Sequence, residues 1–263
     1  AQAREHARLA DVHPPVLRTH DRYGRRVDDV EMHPSWHWLM STSVGWGLHA
    51  TPWVAPAGSG AHVARAAGFY LMNQLENGHC CPISMTYAAV PALRHDAELA
   101  ERFEPGLRAQ HYVPGPATPD GKAGLIAGMS MTEVQGGSDL RAVTTRAERA
   151  ADGTYRVTGR KWFTSAPCSD LVFTLALAPD GPTCVVVPRT LPDGSRNGMN
   201  LLRLKDKLGN RANASAEVEY ADAVGWRLGD EGRGIATLLT MVTMTRLDCV
   251  LGSAGLIRIA LSE

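Results

Sequence analysis

Two short segments carry residue types that could hold a flat, polar ligand. The first is Gly128 to Leu140, GMSMTEVQGGSDL, in which Met131-Thr132-Glu133 leads into Gly136-Gly137-Ser138-Asp139. A strand entering such a turn leaves backbone N–H groups and a serine hydroxyl free to face an anion or the edge of a ring. Glycine there permits a close approach that a side chain would block. Taken alone, a Gly-Gly turn before Ser-Asp is also a common loop. The second segment is Gly159 to Ser165, GRKWFTS. Trp162 and Phe163 precede Pro167 and set an aromatic plane beside the hydroxyls of Thr164 and Ser165. That combination suits a heteroaromatic cofactor with polar edges, or equally an aromatic pair closing a β core.

Other chemistry-bearing residues read more plainly. His33 and His37 sit at i, i+4 and could meet one metal on a helix. No third ligand stands near them, so packing or surface roles are expected. Cys80 and Cys81 follow His79, but the apolar run behind them points to buried, inert thiols. Glu133 and Asp139 could be acids; beside the glycines they read as loop anchors and caps.

The elements that must position these residues change character along the chain. All ten histidines lie between His6 and His111, and four of the six tryptophans lie before Gly58. Ala61 to Met72, Met85 to Leu93 and Ala97 to Phe103 carry helical signals, punctuated by Gly58-Ser59-Gly60, Pro82 and Gly106. Proline and glycine cluster between His111 and Lys122, which reads as a linker. Beyond it Asp152-Gly153 and Asp180-Gly181 each separate two strand-like runs, a strong hairpin signal. Leu201 to Leu204 and Ala216 to Tyr220 add strands. Such closely joined strands are antiparallel and predict a sandwich or barrel. After Gly234 the pattern returns to helix, with Met241, Met244, Leu247 and Leu251 on one stripe. That stripe is expected to be exposed and sticky here. The helix carries no capping signal and reads as interrupted, and the opening Ala1-Gln2-Ala3-Arg4 suggests a trimmed or partial product.

Composition excludes several classes. The 44% hydrophobic and 21% charged contents are those of an ordinary globular protein. Lysine plus arginine equals aspartate plus glutamate at 27 each, so no net field recruits nucleic acid or an anionic membrane. No apolar run approaches the roughly 20 residues of a bilayer span, and no membrane partner is expected. Five cysteines without a CxxC pair predict reduced thiols and a cytoplasmic setting.

Together the two glycine and aromatic segments support a resemblance. MTEVQGGSD resembles the TEPGAGSD-type motif of acyl-CoA dehydrogenases, and GRKWFTS resembles their GxKxWITN-type segment. Lys207 to Ser215, Val218-Glu219-Tyr220 and Gly232-Arg233-Gly234 resemble later family segments in the same order. Within the family the chain is most similar to the AidB branch, the adaptive-response alkylation flavoproteins. That likeness rests on Leu208 to Ser215, Cys81 to Thr86, Arg189 to Asn197, Met244 to Cys249, and Tyr23 to His37.

The resemblance implies an α+β chain: a helical N-terminal domain (1–122), an antiparallel β-sandwich or barrel that binds flavin (123–230), and the first helix of a C-terminal helical bundle (231–263). It implies FAD, with Met131, Thr132, Gly137 and Ser138 contacting flavin or ribityl groups and Ser138 also the CoA portion of a substrate. Trp162, Phe163 and Thr164 would lie against the isoalloxazine, Thr164 near N5. Arg246 would serve CoA adenine recognition, although Thr243 replaces the family's aspartate. Some members carry the catalytic base just before that arginine, and Thr245, which stands there, cannot be a base. The implied activity is FAD-dependent oxidoreduction of an acyl thioester. The alternatives are a DNA-associated alkylation-response flavoprotein, contacting duplex DNA through a C-terminal region outside this chain, or an inactive remnant. A homo-oligomer is expected for the complete protein.

Overall fold

A computed structural model describes residues 1–262. The chain begins with helix α1 (Gln2–Val12) and a hairpin of β1 (Val16–His20) and β2 (Arg26–Glu31). Asp21 Oδ1 accepts the amides of Tyr23 and Arg25, and Gly24 takes φ 76°, which fixes the turn. This hairpin stands inside a stretch that reads as helical from sequence. Its residues Arg26-Val27-Asp28-Asp29-Val30 alternate too weakly to announce strands, and its fixing contacts are distant. Asp28 receives Arg26 and, from far along the chain, Arg196.

Five helices follow: α2 (Pro34–Gly45), α3 (Thr51–Val54), α4 (Ala61–Asn73), α5 (Cys80–Leu93) and α6 (Ala97–Leu107). His33 Nδ1 caps α2 by accepting Ser35 N–H, and Asp96 caps α6 by accepting Leu99 N–H. Pro82 and Gly106, read as punctuation, lie within α5 and α6. Pro82 sits in the first turn, where its missing N–H would have had no helical partner.

The strands are β3 (Ala127–Ser130), β4 (Arg146–Arg149), β5 (Tyr155–Ser165), β6 (Leu171–Ala178), β7 (Gly181–Pro188), β8 (Met199–Leu204) and β9 (Ser215–Leu228). Both Asp-Gly hairpins form: β4 pairs β5 and β6 pairs β7, antiparallel. β9 pairs with β5, β7 and β8, and β6 pairs with β3 and β4, so the sheet closes on itself as a barrel. The sheet is mixed, because β3 and β4 meet β6 in parallel.

Helix α7 (Gly234–Ala260) then packs against α4, α5 and the barrel. By length and composition alone it could cross a membrane, unlike the sequence expectation. A third of its most apolar window is buried within this fold, however. Its buried positions include Leu238, Met241, Thr245, Asp248, Gly252 and Gly255, and Met244 and Leu251 pack half-buried against the cores, so the stripe expected to be exposed is largely covered. Met241 is fully buried while Leu247 is 55% exposed. Glycine allows the close approach of α4 on this face: a Cβ on Gly255 would stand 2.9 Å from Tyr70 O.

Two cores result. One joins α2, α4 and the barrel interior around Val157, Val185 and Tyr220. The other joins α5, α6, α7 and one barrel face around Phe103, Phe173 and Leu238.

Candidate functional site

The glycine and aromatic segments meet at one end of the barrel. β5 buries Tyr155, Val157 and Lys161 in alternation and then Thr164, so Trp162-Phe163 is one residue too many for the ladder. The pairing with β9 shifts register at this point. The bulge frees the Trp162 amide, which donates to Thr132 O at 2.8 Å. It also brings both rings under one cation. Lys205 Nζ lies 3.3 Å from the Trp162 centroid and 4.6 Å from that of Phe163.

A buried ion pair fixes the loop from below. Glu133 is 3% exposed, and its carboxylate receives Lys161 Nζ at 2.7 Å, both Thr144 donors, the Thr145 amide and Gln135. Burial opposes the charge, but Lys161, the two threonines and Gln135 outweigh it and hold the Glu133 carboxyl well below the usual range. Burial pulls Lys161 down to about 8 against the attraction of Glu133. Glu133 is thus an anchor with its acceptor sites filled. Asp139 accepts the Arg141 amide and caps a short 3-10 turn.

Above this anchor the turn is open. Gly136, Gly137, Ser138 and Phe163 are exposed, and Met131, Thr132 and Trp162 are half-buried. Among the described residues neither the Gly137 nor the Ser138 amide has an acceptor. A Cβ at 137 would meet Thr132 Oγ1 at 2.8 Å, so a larger residue there requires the Thr132 side chain to move. Free amides, a hydroxyl and an aromatic edge are the donor set that a phosphorylated or ring-shaped group requires. Thr164 lies deeper, fully buried, with Oγ1 2.6 Å from Ser130 Oγ. With no exposed surface, its hydroxyl is closed off from the open turn in this structure.

Arg246 stands apart. It is exposed on α7, and no hydrogen bond or ion pair joins it to another described residue. Its neighbour Thr245 faces inward and lines a cleft of about 320 Å³ between α4, α5 and α7. Cys80, Cys81, Ser84, Asp248 and Cys249 share that lining. Sequence reasoning missed Asp248 and its partner Arg65, because they are 183 residues apart. The signal available was an aspartate amid the apolar pattern of a long helix. His33 and His37 are engaged separately, His33 with Ser35 and His37 Nδ1 with Tyr112 Oη at 2.8 Å.

Known proteins share this architecture. Residues 1–114 match the adaptive response protein AidB N-terminal domain, and residues 128–223 match the acyl-CoA dehydrogenase middle domain. Over the whole chain, identity is 51% to the putative acyl-CoA dehydrogenase AidB of Escherichia coli strain K12, of which it covers 49%. The chain belongs to the acyl-CoA dehydrogenase family. This family member spans about half the length of the curated relatives it matches. A crystal structure of Caenorhabditis elegans ACDH-11 in complex with C11-CoA superposes with TM-score 0.87 at 28% identity, over 97% of this chain and 44% of that one. A glutaryl-CoA dehydrogenase from Mycobacterium smegmatis in complex with FADH2 shares the fold, with TM-score 0.68 at 19% identity over 86% of this chain and 55% of that one.

Proposed function

We propose that this chain carries the barrel half of a flavin site, and that the complete protein is an FAD-dependent oxidoreductase of an acyl thioester. The observation that carries this reading is the join between Trp162 and Thr132, which holds an aromatic edge beside the two free amides of Gly137 and Ser138. Met131, Thr132, Gly137 and Ser138 would hold the ribityl and phosphate side, and Trp162, Phe163 and Thr164 the ring. FAD, when bound, supplies hydride acceptance. The chain's own contribution is positioning. The Glu133–Lys161 pair keeps the loop in place, and the Thr245 cleft and Arg246 would receive the thioester. Thr245 cannot take the α-proton, so a carboxylate from outside this chain is required. A homo-oligomer in the cytoplasm is part of the same proposal, supported by five free thiols and by exposed Leu247, Val250 and Ile257 on α7.

The test is a flavin titration followed by acyl-CoA addition. Saturable FAD binding and bleaching of the flavin by acyl-CoA in a product of the relatives' length are expected. Absence of binding at saturating FAD overturns the reading. The AidB-like N-terminal match favours a second reading, a DNA-associated alkylation-response flavoprotein. Salt-sensitive duplex binding with a flavin inert to acyl-CoA would select it.

A further inference from the structure

Strand β9 meets the aromatic pair with a single residue. Lys161 faces Val218 and Thr164 faces Ala216, so Trp162 and Phe163 together stand opposite Glu217. On its other side β9 pairs with β8, where Glu217 faces Arg203. Lys205 follows β8 directly, its amide fixed by Ser215 O at 2.8 Å. Both cations turn to Glu217 Oε1: Arg203 Nε donates at 2.7 Å and Lys205 Nζ at 2.6 Å. Among the described residues neither cation has a second acidic partner. Arg203 alone matches the charge of Glu217, which leaves that of Lys205 in excess. The excess is shielded from water. The Lys205 side chain is 8% exposed, and its ammonium lies over the faces of Trp162 and Phe163, 3.3 and 4.6 Å from their centroids. Phe163 itself is 42% exposed. The aromatic pair therefore roofs a shielded positive charge.

We propose that Lys205 is a positioning residue of the flavin site, holding Trp162 and Phe163 as one wall and raising the reduction potential of a flavin bound against it. The inference rests on the flavin reading of this wall. A ring that accepts a hydride gains one negative charge, and charge placed nearby tunes how readily it does so. A cation behind the wall favours the charged ring by Coulomb attraction, and burial spares that attraction from salt screening. One ammonium shared by two ring faces also fixes their tilt, which a neutral side chain of the same length would not do. Glu217 opposes the effect from the same place. The two residues should therefore move the potential in opposite directions, and a merely structural role would not.

The experiment is a reductive titration of the FAD-loaded chain with xanthine and xanthine oxidase against a reference dye. It compares the parent with Lys205→Met, Lys205→Arg and Glu217→Gln. Lys205→Met is expected to lower the ratio of reduced to oxidised flavin affinity at least about tenfold, which is about 30 mV for a two-electron couple. Lys205→Arg is expected to keep the parent potential, and Glu217→Gln to raise it. A Lys205→Met potential equal to that of the parent overturns the role given to the charge. If Lys205→Met no longer binds FAD, Glu217→Gln decides: a rise supports the proposal, and a potential that stays or falls overturns it. Failure of the parent to bind FAD at saturation overturns the flavin reading and this inference with it.

Discussion

The Trp162 amide donates to the Thr132 carbonyl oxygen across 2.8 Å, and this bond makes one surface of two segments 30 residues apart in sequence. It exists because the bulge at Trp162-Phe163 takes that amide out of the β5–β9 ladder.

The space above the bond is set by Gly137. Gly137→Val is expected to weaken FAD binding by at least about tenfold, since the new side chain must displace Thr132 or stand in the approach. Fluorescence titration measures it. An unchanged affinity would show that the cofactor does not approach this turn.

Breaking the anchor below should cost stability rather than chemistry. Lys161→Met leaves Glu133 buried without its cation, and a loss of about 3 kcal/mol is expected from urea denaturation. Glu133→Gln added to that variant should restore part of the loss. A single variant as stable as the parent would mean that the four other donors already satisfy Glu133.

His49 gives the fold an acid limit. It is fully buried with Nε2 3.1 Å from Ala109 O, and burial pushes its pKa down to about 4 from 6.5, with Arg65 adding to the effect and the Ala109 bond opposing it. The unfolded chain takes up the proton first as pH falls, so this contribution is intact above 6.5 and is lost between 6.5 and about 4. The full span corresponds to about 3 kcal/mol. His49→Gln keeps a donor for Ala109 and should flatten the decline in denaturation midpoint over that range. An identical pH profile would remove His49 as the cause.

Thiol reactivity should follow exposure. Cys249 is exposed, whereas burial raises the Cys81 thiol to about 11 and also pushes Cys184 up. Iodoacetamide near about pH 7.5 should modify Cys249 first, with Cys80 and Cys184 reacting only after unfolding. Mass mapping of the labelled peptides decides the order, and early labelling of Cys184 would contradict it.

Much of the barrel was legible because Asp152-Gly153 and Asp180-Gly181 force local turns between alternating runs. The parallel pairing of β3 with β6 was not, since nothing near Ala127 in sequence specifies a partner at Leu171. The β1–β2 hairpin was missed for a related reason: its charged strands are fixed by Arg196, far along the chain. At the site, the glycine and aromatic residue types were visible, but their union depends on a bulge. The methionine stripe of α7 was expected to be exposed, but α4, α5 and the barrel cover Met241 fully and Met244 and Leu251 in part, and Gly252 and Gly255 let α4 come that close. Asp248 was legible only as an oddity until Arg65 stood opposite.

β9 is the last strand of the barrel and the one that bonds to β5, β7 and β8. During synthesis the ring therefore stays open until residue 228 has left the ribosome, with the edges of β5 and β7 unpaired meanwhile. Over that interval nascent chains can pair with one another through those edges instead of with themselves.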